Sequence, residues 1–170
     1  MMLQALVFGL IWSLMWSVYV FLILKFYPFS MLHDYPKDIQ TAATIEKPTK
    51  AQEQAAKRFG AVGGLIIFGV LLAFGLLRFH SEQASFWQIL QYIFIIAMTW
   101  NVVDLLVMDW LIVCTITPNW IVLSGTEGCK GYKDYFYHFK GFLIRCVYTT
   151  IMALLFSGID YAILRLLIWK

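Results

Sequence analysis

Charged residues along this chain are bunched, and the intervals between them are long and apolar. No charge occurs from Met1 to Leu24, where only Gln4, Ser13 and Ser17 interrupt the apolar run. A second charge-free run extends from Phe59 to Leu77 and stops at Arg78. A third begins after Glu82 and continues from Ser85 to Cys114, with Pro118 just beyond it. A fourth runs from Phe142 to Trp169 and carries Arg145, Asp160 and Arg165 near its two ends. A bilayer core about 30 Å thick needs roughly 20 helical residues, and each run supplies them. Barrel strands would alternate with period two, and residues 66–77 and 89–97 do not. The fold class expected is all-α. It is a polytopic bundle of four transmembrane helices at about 3–25, 49–78, 85–115 and 142–169, with loops at 28–48 and 118–141 in one domain of residues 1–170.

The flanks refine each helix. The first run lacks the basic start and small-residue cleavage site of a signal peptide, so it reads as a retained span ended by Lys25 and Pro28. Thr49-Lys-Ala-Gln52 after Pro48 is a capping-box pattern, and Glu53 and Lys57 stand at i,i+4. The second helix therefore starts in water and runs on into lipid. It carries Gly60, Gly64, Gly69 and Ala73, small residues that let backbones approach closely. Packing inside the bundle is their commoner use, and a homodimer face is the alternative. The third helix exceeds a perpendicular span and should tilt or protrude. In the fourth, long basic side chains near the ends can reach the headgroups. In residues 132–141, Tyr132, Tyr135, Phe136 and Phe139 fall at helical spacing, which suggests a short helix lying at the membrane interface.

Composition agrees with a lipid environment. The chain is 61% apolar and 14% charged with a mean hydropathy of +0.74, against about 45–50% and about 25% in soluble domains. A net charge of +3 is too small to indicate nucleic acid as a partner; membrane lipid and a small lipophilic substrate are the partners expected. Ten of the 13 basic residues flank loops one and three, and Arg78, Arg165 and Lys170 lie at the other end. The positive-inside rule then puts loops one and three in the cytoplasm and both termini outside, in a cell (inner) membrane.

Candidate chemistry concentrates in Asn101-Val-Val-Asp104-Leu-Leu-Val-Met-Asp109-Trp110. A carboxylate at mid-membrane costs roughly 2.5–3.5 kcal/mol on insertion scales. At about 100° per residue, with Asn101 at zero, Asp104 falls near about −60°, Thr115 near about −40°, and Asp109 and Gln91 near about +80°. The stripe is about 140° wide, with Tyr92 and Trp110 opposite. From a midplane near Met98, Asp104 stands about 9 Å and Asp109 about 17 Å toward the cytoplasm. The plain alternative is that both acids hold the bundle together, with Arg145 as the partner of Asp109.

Loop one adds His33 and Asp34 to this end, and loop three adds Glu127, Tyr132, Asp134, His138 and Lys140. The arrangement expected is a pocket at the inner leaflet. Asp104, Asp109, Glu127 and His138 are the catalytic candidates, and Asn101, Tyr132, Lys140 and Arg145 the substrate-binding ones. Apolar surroundings favour the neutral acid, so a carboxyl there can give or take a proton near neutral pH. That suits isomerisation, cyclisation or headgroup transfer on a lipid. No HExxH motif or regular ligand spacing points to a metal, and the pattern identifies no cofactor. Ser124–Gly128 reads as an ordinary polar turn. Cys114, Cys129 and Cys146 fit neither a zinc pattern nor a disulfide framework.

Asn101-x2-Asp104-x4-Asp109-Trp110, Pro118, Gly125-Thr-Glu-Gly128 and His138-x-Lys140-Gly141 resemble small uncharacterised bacterial four-helix integral membrane proteins over the C-terminal half. The resemblance implies that fold and no activity. The Asn/Asp stripe is also similar to the aspartate-rich motifs of membrane prenyltransferases, which repeat the motif across a larger bundle. The functional reading is a small membrane enzyme using buried carboxylates and a loop histidine on a lipid or isoprenoid-like substrate. A non-catalytic accessory or ligand-binding subunit and a dimeric proton-linked carrier are the alternatives.

Overall fold

A computed structural model describes residues 1–169; Lys170, counted above among the basic residues of the second end, lies outside them. The described residues are helical wherever they are regular, without strands. Four helices are long and apolar enough to cross a membrane. Helix α1 spans Met2–Phe26. Short helices α2 (Pro28–Met31) and α3 (Lys37–Ala42) follow, separated by a 3-10 turn at Leu32–Asp34. Helix α4 runs Lys50–Phe79 and α5 Phe86–Val103. The last long helix, α6, runs Tyr135–Ile163 and tightens no further at its end, passing into a π turn at Leu164–Ile168.

The helix starts follow from local hydrogen bonding. At α4, the Thr49 hydroxyl accepts from the Gln52 amide while the Gln52 side chain accepts from the Thr49 amide. Ser85 and Gln88 repeat the device at α5. At α6 the Asp134 carboxylate accepts from the Tyr137 amide at 2.9 Å. These caps satisfy amides that the first helical turn leaves without partners. The cap at Asp134 also starts α6 seven residues earlier than expected. Tyr135 to Gly141 are thus the first turns of a continuous helix rather than a separate interfacial one.

Helix α5 is central and packs most extensively on α1 and α6, with α4 closing the bundle. Its side chains Ile89, Tyr92, Ile93, Ile96 and Ala97 form the core with Ala5, Trp12, Ile67, Leu71 and Ala153. Tyr92 was expected on the lipid side of the stripe and Gln91 within it. The structure reverses both, burying Tyr92 completely and exposing Gln91. Close helix approach depends on glycines outside the expected set. A Cβ at Gly9 would lie 2.7 Å from Thr99 Cβ, Gly63 admits the Tyr19 ring, and Gly75 admits the Asp160 carboxyl. Gly64 and Gly69 face open space and do not serve packing inside the bundle. Across α1 and α4, the Trp12 indole donates to the Ile67 carbonyl at 2.8 Å.

Loops one and three fold together as a cap with its own small core of Tyr35, Ile39, Ile121, Leu123 and Tyr132. The Tyr35 hydroxyl donates to the Ile121 carbonyl at 3.2 Å, and the Gly131 amide donates to the Asp38 carboxylate at 2.8 Å. The turn after Leu123 places Gly125 at φ 81° against Thr44 and the Ala42 carbonyl, a conformation and a space that favour glycine.

Candidate acid–base site between the third and fourth long helices

After Val103 the central helix changes character. Asp104–Ile116 is π-helical, bonded i to i+5, and ends at Thr117 in the left-handed conformation (φ 48°). Such stretches are rare and occur mostly as single turns, frequently at functional sites. The consequence for the acids is direct. Five residues of α-helix rotate about 140°, which would point Asp104 and Asp109 apart. A π turn brings residues i and i+5 back to one face, so both carboxylates meet one side chain. Arg145 Nη2 lies 3.0 Å from Asp104 Oδ2 and donates to Asp109 Oδ2 at 2.9 Å. The expected stripe is therefore narrower at this end than the α-helical wheel made it.

Arg145 reaches them because α6 starts early, which places it ten residues into the helix rather than at its edge. His138, two turns nearer the cap, turns Nδ1 to Asp109 Oδ1 at 2.9 Å. It is a residue of α6, not of a loop. Its Nε2 and the Nε of Arg145 are buried without a hydrogen-bond partner. With 11% of the His138 side chain, 15% of Asp109 and 14% of Asp104 exposed, the cluster is screened from water but not sealed. Asn101, one turn deeper and 1% exposed, donates to Thr149 Oγ1 at 2.8 Å and binds α5 to α6. Asp34 lies within electrostatic reach: burial pushes its carboxyl above the usual value, His33 and Arg145 oppose this, and Asp109 adds to it.

Three expected site residues lie elsewhere. Tyr132 is a structural member of the cap, its hydroxyl accepting from the Leu123 amide at 2.9 Å and bonded to Thr126 at 2.7 Å. Glu127 is exposed in the turn. Lys140 is exposed on α6, with its ammonium 4.5 Å from the Phe136 ring centre. Proximity to loop three in sequence suggested all three; the loop's engagement with loop one keeps Tyr132 and Glu127 from Asp104, and Lys140, two residues after His138, lies on the opposite face of α6. His33 is exposed beside Asp34, as its hydrophilic surroundings imply.

A pocket floored by Asp104 was expected. Arg145 occupies the space between the acids instead, and the two cavities described lie apart from the cluster. One is an apolar groove of about 490 Å³ between α1 and α4, lined by Leu14, Val18, Tyr19, Phe59, Val62 and Ile66. The other, of about 260 Å³, lies beside Phe29, Glu53 and Lys57. Among the described residues no cluster of three His, Cys, Asp or Glu has metal-binding geometry.

Lys133 was not among the candidates, yet it holds the end of the π segment. Its ammonium donates to the Cys114 carbonyl at 2.7 Å, the Thr115 carbonyl at 3.1 Å and Thr117 Oγ1 at 2.6 Å. No local sequence signal marks it, because Lys133 stands 17 residues beyond Ile116 and is returned to the helix end by the fold of loop three. Comparisons with protein-family models, curated proteins and solved structures gave no match to this chain.

Proposed function

We propose that the chain is an integral membrane protein whose His138, Asp109, Asp104 and Arg145 form an acid–base centre acting on a lipid or isoprenoid-like molecule from the cytoplasmic leaflet. One observation carries this reading: a nearly buried imidazole has one nitrogen turned to a carboxylate and the other without any partner. An oriented imidazole with a free nitrogen can take a proton from a substrate and return it. Asp109 fixes the ring, and Arg145 offsets the charge of both acids and can meet an anionic headgroup. The apolar surfaces of all four long helices, among them Leu10, Leu14, Leu65, Val102, Val147 and Leu155, suit a lipid environment. The distribution of Lys and Arg supports loops one and three on the cytoplasmic side.

The test uses full-length protein in vesicles of phosphatidylethanolamine, phosphatidylglycerol and a polyprenyl phosphate, incubated in deuterated water. Mass spectrometry of the lipids should show new species or carbon-bound deuterium. His138→Gln should slow their formation by about 10²–10⁴-fold, and Asp104→Asn should abolish it while protein yield stays near normal. Lipids indistinguishable from those of protein-free vesicles would sink the reading.

The hold of one guanidinium on both acids favours a second reading, a non-catalytic accessory subunit in which the cluster only fastens α5 to α6. In that case Asp104→Asn and His138→Gln lower the melting temperature together and no lipid changes.

A further inference from the structure

Asp160 lies far from the cluster just described and has no role in it. Its place near the end of the fourth apolar run suggests a carboxylate reaching the membrane surface. The structure buries it completely instead, with neither carboxyl oxygen hydrogen-bonded. It occupies the space that a Cβ at Gly75 of α4 would need, next to Ile93 of α5. Ile93 stands five residues before Met98 and Asp104 six after it, so the two acids are about 17 Å apart along α5. Two further polar groups near this level are fully buried and unpartnered: Ser157 Oγ, one turn before Asp160 on the same face of α6, and Tyr92 OH, next to Ile93. The Tyr92 ring packs edge-on against Phe79, one turn beyond Gly75.

Among the described residues no charged side chain bonds Asp160 from a neighbouring element. On α4, Arg78 is a turn beyond Gly75 and is paired with Glu82 at 3.2 Å. On α5 the only titratable neighbour is Tyr92. Tyr161 of α6 and Arg165 of the π turn after it bond each other at 3.0 Å, on an exposed flank. An ionised carboxylate without a partner in such a setting costs several kcal/mol, whereas the neutral acid is tolerated.

We propose that Asp160 is a proton-binding site inside the bundle, a carboxylic acid that carries its proton between α4, α5 and α6. Ser157 and Tyr92 add polar groups to its otherwise apolar surroundings, without a hydrogen bond to it. The site is independent of the acid–base centre at Asp109 and His138.

A lipophilic carbodiimide tests this. Dicyclohexylcarbodiimide adds to a protonated carboxyl in apolar surroundings: the acid proton passes to one carbodiimide nitrogen, the carboxyl oxygen bonds the central carbon, and the adduct rearranges to an N-acylurea that retains the whole reagent. Full-length protein in phosphatidylethanolamine–phosphatidylglycerol vesicles should gain one reagent mass, mapped to the peptide containing Asp160. Labelling should fall about tenfold per pH unit on the alkaline side of its midpoint. Sodium should not protect against it. Asp160→Asn should remove the label, and Asp104→Asn should leave it in place. An Asp160 peptide unlabelled in the wild type at every pH overturns the proposal. Protection by sodium also overturns it, because the site would then hold a monovalent cation rather than a proton. Neither result bears on the lipid assay at His138.

Discussion

A single nitrogen of Arg145 meets Asp104 at 3.0 Å and Asp109 at 2.9 Å, so truncating that side chain strands two acids in a largely dry interface. Arg145→Ala should cost about 2–4 kcal/mol, rather less than a fully buried pair because 38% of the Arg145 side chain is exposed. Thermal unfolding in detergent, followed by tryptophan fluorescence, measures the loss. Adding Asp104→Asn to Arg145→Ala should recover part of it, since one stranded charge is then gone; a double variant no better than Arg145→Ala would mean that Asp104 does not depend on the arginine. At this scale the sequence was informative about residue type and less so about partners. Asp104, Asp109 and Arg145 stand out because ionisable groups in apolar runs are costly, and His138 by residue type in the adjoining loop. Glu127 and Lys140 stand out equally by type; the path of loop three separates the first from the site, and the exposed face of α6 the second. Asp160 looked like an end-of-helix residue because nothing in a one-dimensional pattern reveals that Gly75 makes room for it.

The π segment is the element on which the site depends, and its weak point is its end. Its last carbonyls rest on the Lys133 ammonium rather than on a following helical turn. Lys133→Ala should therefore cost about 1–2 kcal/mol and speed amide hydrogen exchange across residues 112–117 more than across residues 90–103. Equal exchange in both stretches would show that the segment is held by something other than that cap. The positions of the four long helices were readable from charge-free runs, and the Thr49 capping box from four residues. The π geometry was not, because periodicity arguments assume about 3.6 residues per turn throughout. An error of that kind grows with each residue past Val103, and so falls on the two aspartates.

For the whole molecule, the bundle and the cap divide the chain into parts with different chemistry. Cys129 belongs to the cap and is partly accessible, whereas Cys114 is buried. If loops one and three face the cytoplasm as proposed, a membrane-impermeant maleimide should label Cys129 in inside-out vesicles and not in right-side-out ones. The opposite result would invert the proposed orientation. Loop one reads as a solvated connector from its composition. It is folded instead, because Tyr35 and Ile39 find Ile121, Leu123 and Tyr132 across a separation of more than eighty residues that no local pattern encodes.

That separation has a consequence for synthesis. Ile39 is fully buried and Tyr35 nearly so, yet the part of their cover supplied by Ile121, Leu123 and Tyr132 emerges from the ribosome only after α4 and α5 have been made. Throughout that interval the nascent chain presents a small greasy patch beside its first two long helices. The final closure of the protein is then timed by the arrival of residues 121–132 rather than by the formation of its first long helices.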